Sequence, residues 1–342
     1  MSSVKHSGAP RPVAIEADAA GAEPKPSGAR RVLHIVGAVV VVLVLPALVI
    51  GAFVGELGVS AMFTGVLLGA VGAKLGGTHR MLYVAPALGV AGGLGAYTAY
   101  DWWWVALLAA AGVIAGAGIR FGWFAALLMV PYAATFVTPV STVTDAVIYG
   151  VILAIASLYG VVLAHRFGAP RIVDGDHLAP RVAAGVAGMF GLVLGATAAI
   201  GVALGWTEPY WVPEPVLILV LYIIMGKRDR IRGKALGTAL GIAAAVPIAI
   251  ISPPQAVLTT IGVIAFIIAL TQAKKTYWLM YGLYTFSLVL LLSAPGQVGF
   301  EAEERGVEIL VGVGLLVVGL AVVHALGARE AKRDPQPELA PG

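Results

Sequence analysis

The residues best able to do chemistry in this chain are ionisable groups set in or beside long apolar runs. Glu214 stands between Pro213 and Pro215, about one turn into the apolar run 210–226. An acid drawn partly out of water is costly and usually functional, so Glu214 is a candidate for exchanging a proton during a transport cycle. The alternative is an acid at a helix start, complementing the N-terminal dipole. A second cluster, Glu301, Glu303, Glu304, Arg305 and Glu308, leads into the last apolar run. On a helix Arg305 reaches Glu301 at i−4 and Glu308 at i+3, which suits an ion-pair network. The same guanidinium suits a substrate carboxylate as a bidentate donor. Tyr210 and Trp211, just ahead of Glu214, are either headgroup-level anchors or flat faces for a ring, as are Trp278 and Tyr281.

Other chemistries find little support. There is no HExxH, GxSxG or Walker A sequence and no paired Asp-rich motif. The absence of cysteine excludes disulfides, thiolate metal sites and a cysteine nucleophile. Asp174, Asp176 and His177 read as a solvated loop rather than a metal site. No enzymatic activity, cofactor or metal is expected. The net charge of +4 does not point to nucleic acid, because the basic residues sit where membrane topology needs them.

The elements that must position these groups are membrane helices. The chain is 59% hydrophobic and 12% charged, against about 25% charged in soluble domains. Its mean hydropathy is +0.93. Runs of spanning length, about 17–25 residues, fall at 33–54, 59–76, 81–98, 102–119, 121–138, 143–165, 183–204, 210–226, 234–252, 256–272, 276–293 and 306–327. The expected fold is an all-α polytopic membrane protein of about twelve transmembrane helices, with cytoplasmic N- and C-termini. That threading keeps all of the 22 Lys and Arg except Arg305 on the cytoplasmic side, as orientation by positive charge requires. The densest basic turn, Lys227, Arg228, Arg230, Arg232 and Lys234, lies between the eighth and ninth runs. Trp102, Trp103 and Trp104 are expected to form an interfacial belt on the opposite side.

The polar connection 166–182 divides the membrane part into halves of six helices, 33–165 and 183–327. Residues 1–32 and 328–342 read as disordered cytoplasmic tails. Both halves start on the same side, which makes them candidate parallel repeats. Residues 87–93 match 235–241 faintly, as ALGVAGG against ALGTALG. Glycines recur at three- and four-residue spacing, Gly237 and Gly241 among them, and such spacing lets helix backbones approach closely in lipid.

Tyr210-Trp211-Val212-Pro213, the apolar run after it, Gly226, the basic turn and then Leu236-Gly237-Thr238-Ala239-Leu240-Gly241 resemble the fusaric acid resistance and aromatic acid exporter superfamily. In that family's R-x-x-G-T-x-x-G helix start, Lys234 stands here where Arg is usual. Arg305-Gly306-Val307-Glu308-Ile309-Leu310-Val311-Gly312 resembles its R-x-x-[DE]-T-x-x-G, with Ile309 in place of Thr. The resemblance covers 183–327 and makes Gly237, Thr238, Gly241 and Gly312 helix-packing positions. It implies a bundle in the cytoplasmic membrane that exports small, often aromatic, organic acids, driven by proton entry. Glu214 or Glu308 would take the proton and Arg305 would order the exit side. A passive anion channel and a non-transporting scaffold stay open as alternatives. The expected partners are the lipid bilayer and a small organic anion, with self-association left open.

Overall fold

The computed structural model describes residues 41, 44–167, 180–206, 208–224, 228–272, 276–292, 306–307, 310–315, 317–319 and 321. Among them every regular element is helical: α1 Leu45–Val54, α2 Glu56–Gly76, α3 Thr78–Tyr97, α4 Trp102–Ala117, α5 Phe124–Leu127, α6 Met129–Thr135, α7 Val143–Arg166, α8 Pro180–Ala203, α9 Pro213–Ile224, α10 Arg228–Ile251, α11 Gln255–Gln272 and α12 Tyr277–Leu292. Short 3-10 turns, Gly118–Phe121 and Pro209–Trp211, extend α4 and precede α9. Single glycines join α1 to α2 and α2 to α3. Gly55 and Gly77 take φ of 75° and 94° there, a left-handed conformation that a Cβ would strain.

Among the described residues, four helices are long and apolar enough to cross a membrane: Glu56–Gly76, Trp102–Phe121, Val143–Arg166 and Pro180–Ala203. Each also leaves large apolar side chains uncovered, such as Leu67, Ile114, Ile155 and Leu192. Soluble monomers rarely expose contiguous apolar surface on that scale. This is an all-α membrane protein. The two tails, residues 168–179 of the central connection, Lys227, Arg305 and Glu308 lie outside the described residues.

Glycine sets how closely the helices pack. α7 lies against both α2 and α3, α4 against α8, and α12 against both α10 and α11. A Cβ added to Gly65 would come within 2.6 Å of the Leu153 carbonyl, and one on Gly112 within 2.9 Å of the Gly191 Cα. At Gly69 it would overlap the Ser157 carbonyl, a backbone atom that cannot swing aside. Gly69→Leu is therefore expected to cost about 1–3 kcal/mol by overpacking, read as a lower thermal midpoint in detergent. Gly185→Ala, whose Cβ would meet nothing, should melt no lower than the parent.

The two segments that match in sequence pack alike. Gly89 and Gly93 of α3 straddle Gly150 of α7, and Gly237 and Gly241 of α10 straddle Gly282 of α12. One helix separates α10 from α12, whereas three α-helices and a 3-10 turn separate α3 from α7. What recurs is the crossing, and the connectivity differs.

One expected span is altered. The run 121–138 is not one helix. Gly122, at φ 68°, closes the 3-10 turn and receives a hydrogen bond from the Arg80 guanidinium on its carbonyl. The short α5 and α6 follow, buried throughout except at Leu127. Residues 136–142 are then not helical. In an apolar interior their freed polar groups must find partners within the protein. Val140 N donates to the Ala96 carbonyl at 3.0 Å, Tyr149 Oη to the Phe136 carbonyl at 3.3 Å, and Thr138 Oγ1 to Ser60 Oγ at 2.7 Å. In the run 210–226, α9 is described from Pro213 to Ile224. The Pro209–Trp211 turn packs beside Gly201, within the last turn of α8.

Candidate functional site

Among the described residues, two charged side chains are buried, Glu214 at 6% exposure and Lys234 at 5%. They face each other. Lys234 Nζ lies 3.4 Å from both Glu214 oxygens, and the α9–α10 hairpin brings the two together across twenty residues of sequence. Tight charge-assisted contacts run about 2.7–2.9 Å, so this ammonium is shared between two oxygens without being locked to either. The Tyr281 ring of α12 covers it, with its centroid 5.4 Å from Nζ.

Lys234 thus departs from the solvated basic turn assigned to it in the sequence. Arg232 is exposed, and Arg230, half-buried, lies 4.9 Å from the Tyr277 ring centroid. α10 is already helical at Arg228, so a hundred-degree step per residue separates their directions. Lys234 falls on the face that Gly237 and Gly241 press against α12. A Cβ at Gly237 would strike the Trp278 carbonyl, and one at Gly241 the Gly282 carbonyl. Thr238 of the same face meets Thr285 of α12 at 3.5 Å between hydroxyl oxygens. Gly312, in the last described helical stretch, faces the Val212 carbonyl just ahead of α9. The backbone of Arg228 opens α10, and its side chain is outside the described residues.

A cavity of about 490 Å³ opens beside the pair, between α2 and α6 on one side and α9 and α12 on the other. Tyr132, Phe136, Trp211, Tyr281 and Tyr284 give it aromatic walls, and Glu214 supplies its one charged lining residue. Lys234 does not line it. The lysine lies in a small adjoining space of about 20 Å³ shared with Glu214, Thr238 and Thr285. Glu214 lines both spaces, as do Trp211, Tyr281 and Tyr284. A second cavity, about 360 Å³ between α3 and α7, is walled by apolar side chains and glycines, and no charged group lines it.

Stacked rings lead to the larger cavity. Tyr100, in the turn between α3 and α4, stacks on Tyr210 at 6.2 Å between centroids. Tyr210 meets Phe136 edge-on at 6.1 Å, and Phe136 stacks on Tyr132 at 5.8 Å. Glu208 holds the near end, accepting from Trp211 Nε1 at 2.6 Å and from Tyr210 Oη at 3.0 Å. Burial pushes the Tyr100 phenol above its ordinary range, with the Glu208 and Tyr149 charges adding to it. Tyr100 consequently stays neutral through the physiological range.

Residues 194–319 match the family model described as fusaric acid resistance protein-like. This segment of the chain is similar to that family. The ion pair, Trp211, Tyr281 and Tyr284 fall within the family segment; Tyr132, Phe136 and α2 lie before it. No curated protein and no solved structure matches the chain.

Of the residues singled out in the sequence, the fold brings Glu214, Trp211 and Tyr281 to one cavity, with Tyr210 at its approach. Trp278 is 42% exposed. The tryptophan belt needs one correction. Trp102 and Trp103 are exposed, whereas Trp104 is fully buried and its Nε1 donates to the Ala134 carbonyl at 2.8 Å. Asp101 fixes that arrangement by capping α4, accepting from Trp103 N at 2.7 Å and Trp104 N at 3.0 Å. Removing one partner of a buried hydrogen bond costs about 1–3 kcal/mol. Trp104→Phe should lower the thermal midpoint accordingly, whereas Trp103→Phe should not. Lys234 as partner of Glu214, and Glu208 as anchor of Tyr210 and Trp211, were missed in the sequence. The available signal was an acid and a base on facing helices of one hairpin.

Proposed function

We propose that the protein is a membrane transporter for small organic anions, aromatic acids among them, with Glu214 exchanging a proton during the cycle. It sits in the cytoplasmic membrane as about twelve spans with both termini inside. The observation that carries this reading is the buried Glu214–Lys234 pair at the edge of an aromatic cavity. An ion pair withdrawn from water is weak support for stability. A buried carboxylate and a buried ammonium beside a cavity of small-ligand size are what recognition of an organic anion needs. The rings offer a flat apolar body its contact, the ammonium offers the carboxylate its counter-charge, and the basic turn raises anion concentration at the inner face.

Reconstituted protein in liposomes, given labelled 4-hydroxybenzoate, tests this directly. Saturable flux above protein-free vesicles is expected, with a rate that responds to a pH gradient at fixed anion gradient. Flux indifferent to pH but steered by voltage would mark a passive channel. No flux above background would remove transport altogether.

A further inference from the structure

We propose that the Glu214–Lys234 pair makes proton and anion binding mutually dependent, so that the site carries one singly charged aromatic acid anion and one proton together, in the same direction. This rests on the transporter reading and deepens it. Two geometric facts carry it: both charges are buried against each other, and Glu214 lines both the cavity and the space that holds Lys234, as the one charged residue of the cavity's lining. Trp211, Tyr281 and Tyr284 line both spaces with it, so the carboxylate is the charged group that an anion in the cavity meets beside the ammonium.

The charge states then sort themselves. With Glu214 ionised and no anion bound, the pair is neutral. With an anion on Lys234 and a proton from water on Glu214, the site is neutral again, and the carboxylic acid becomes a donor to the bound anion. The mixed states carry a net charge into an apolar interior, either an ammonium without a partner or two anions on one cation. Unpaired buried charge is strongly disfavoured, so the two neutral states dominate. No other charged side chain faces the pair among the described residues lining either cavity. α6 contributes Tyr132, α12 contributes Tyr281 and Tyr284, and α2 contributes Thr64 and apolar residues. One ammonium also selects for one negative charge, so a dianion brings a charge with no partner.

The consequence reverses the expectation of proton entry against anion exit. Proton and anion load together and unload together, so transport is electroneutral and net direction follows the gradient of the undissociated acid.

The test uses the full chain in liposomes holding a trapped pH dye, with 4-hydroxybenzoate and benzenesulfonate as probes. Benzenesulfonate stays ionised in water, so any proton that accompanies it rides on the protein. Expected is probe uptake with one proton inward per anion and no change in rate when a potassium diffusion potential is imposed. Anion flux without proton movement, protons moving the opposite way, or a rate set by voltage would each overturn the inference while leaving transport standing. Failure of both probes to exceed protein-free vesicles would instead sink the transport reading beneath it. Glu214→Gln, an uncharged isostere, supplies the internal control: anion-for-anion exchange should persist with proton movement reduced at least tenfold. Persistence of parental proton movement in that variant would overturn the role of Glu214.

Discussion

Glu214→Gln should cut net anion transport by at least tenfold while sparing exchange of one anion for another. The substitution fixes the site in a copy of its protonated state. With anion bound, Lys234 has its counter-charge and the variant cycles normally between faces. With no anion bound, the ammonium is buried alone, and the empty form that must return to complete net transport becomes the unfavourable one. Removing one partner of a buried ion pair costs about 3–5 kcal/mol. The variant should therefore melt earlier than the parent in detergent, and ligand should restore much of the loss. Binding to the folded state alone contributes about 2.7 kcal/mol at a concentration of 100 Kd. A larger stabilisation by benzenesulfonate in Glu214→Gln than in the parent, with little dependence on pH, is the expected signature. Equal stabilisation in both would mean that the carboxylate and the anion do not compete for Lys234.

Lys234→Met should abolish anion transport, and here no ligand should rescue stability. The buried carboxylate loses its cation and the anion loses its site. At about 3.4 Å and an effective dielectric near 20, the pair attraction is about 5 kcal/mol, so the single change should be severe. The double variant Glu214→Gln, Lys234→Met removes both charges and should recover most of the stability, because a neutral pair replaces an ion pair at little net cost. It should still neither bind nor carry anions. Recovery of fold without recovery of function separates a recognition role from a structural one. A double variant that transports at the parental rate would show the pair to be a structural pin.

The fold was legible in the sequence where lipid alone decides it. Long apolar runs bounded by basic turns identify α2, α4, α7 and α8 because backbone groups in an apolar medium must satisfy themselves in helices. The run 121–138 misled because composition reports that a segment is apolar, not whether a helix or the surrounding protein satisfies its backbone. Val140, Thr138 and the Phe136 carbonyl find partners on α2, α3 and α7, and no local pattern shows those. Glu214 stood out because an acid between two prolines at a helix start is unusual in an apolar run. Lys234 was hidden by its neighbours. Four other cations in the same eight positions make a basic turn the natural reading, and only the rotation of α10 against α12 separates the buried lysine from the rest. The glycines at 237 and 241 held that information, since a face pressed onto another backbone cannot also be a solvated one.

The most direct measurement is proton uptake on anion binding by the purified full chain in weakly buffered detergent near neutral pH. Titration with benzenesulfonate should draw about one proton from solution per anion bound, and none in Glu214→Gln, as linkage at a shared site requires. Anion bound with no proton taken up, or with a proton released, would contradict the proposal that one carboxylate and one substrate share a single buried cation.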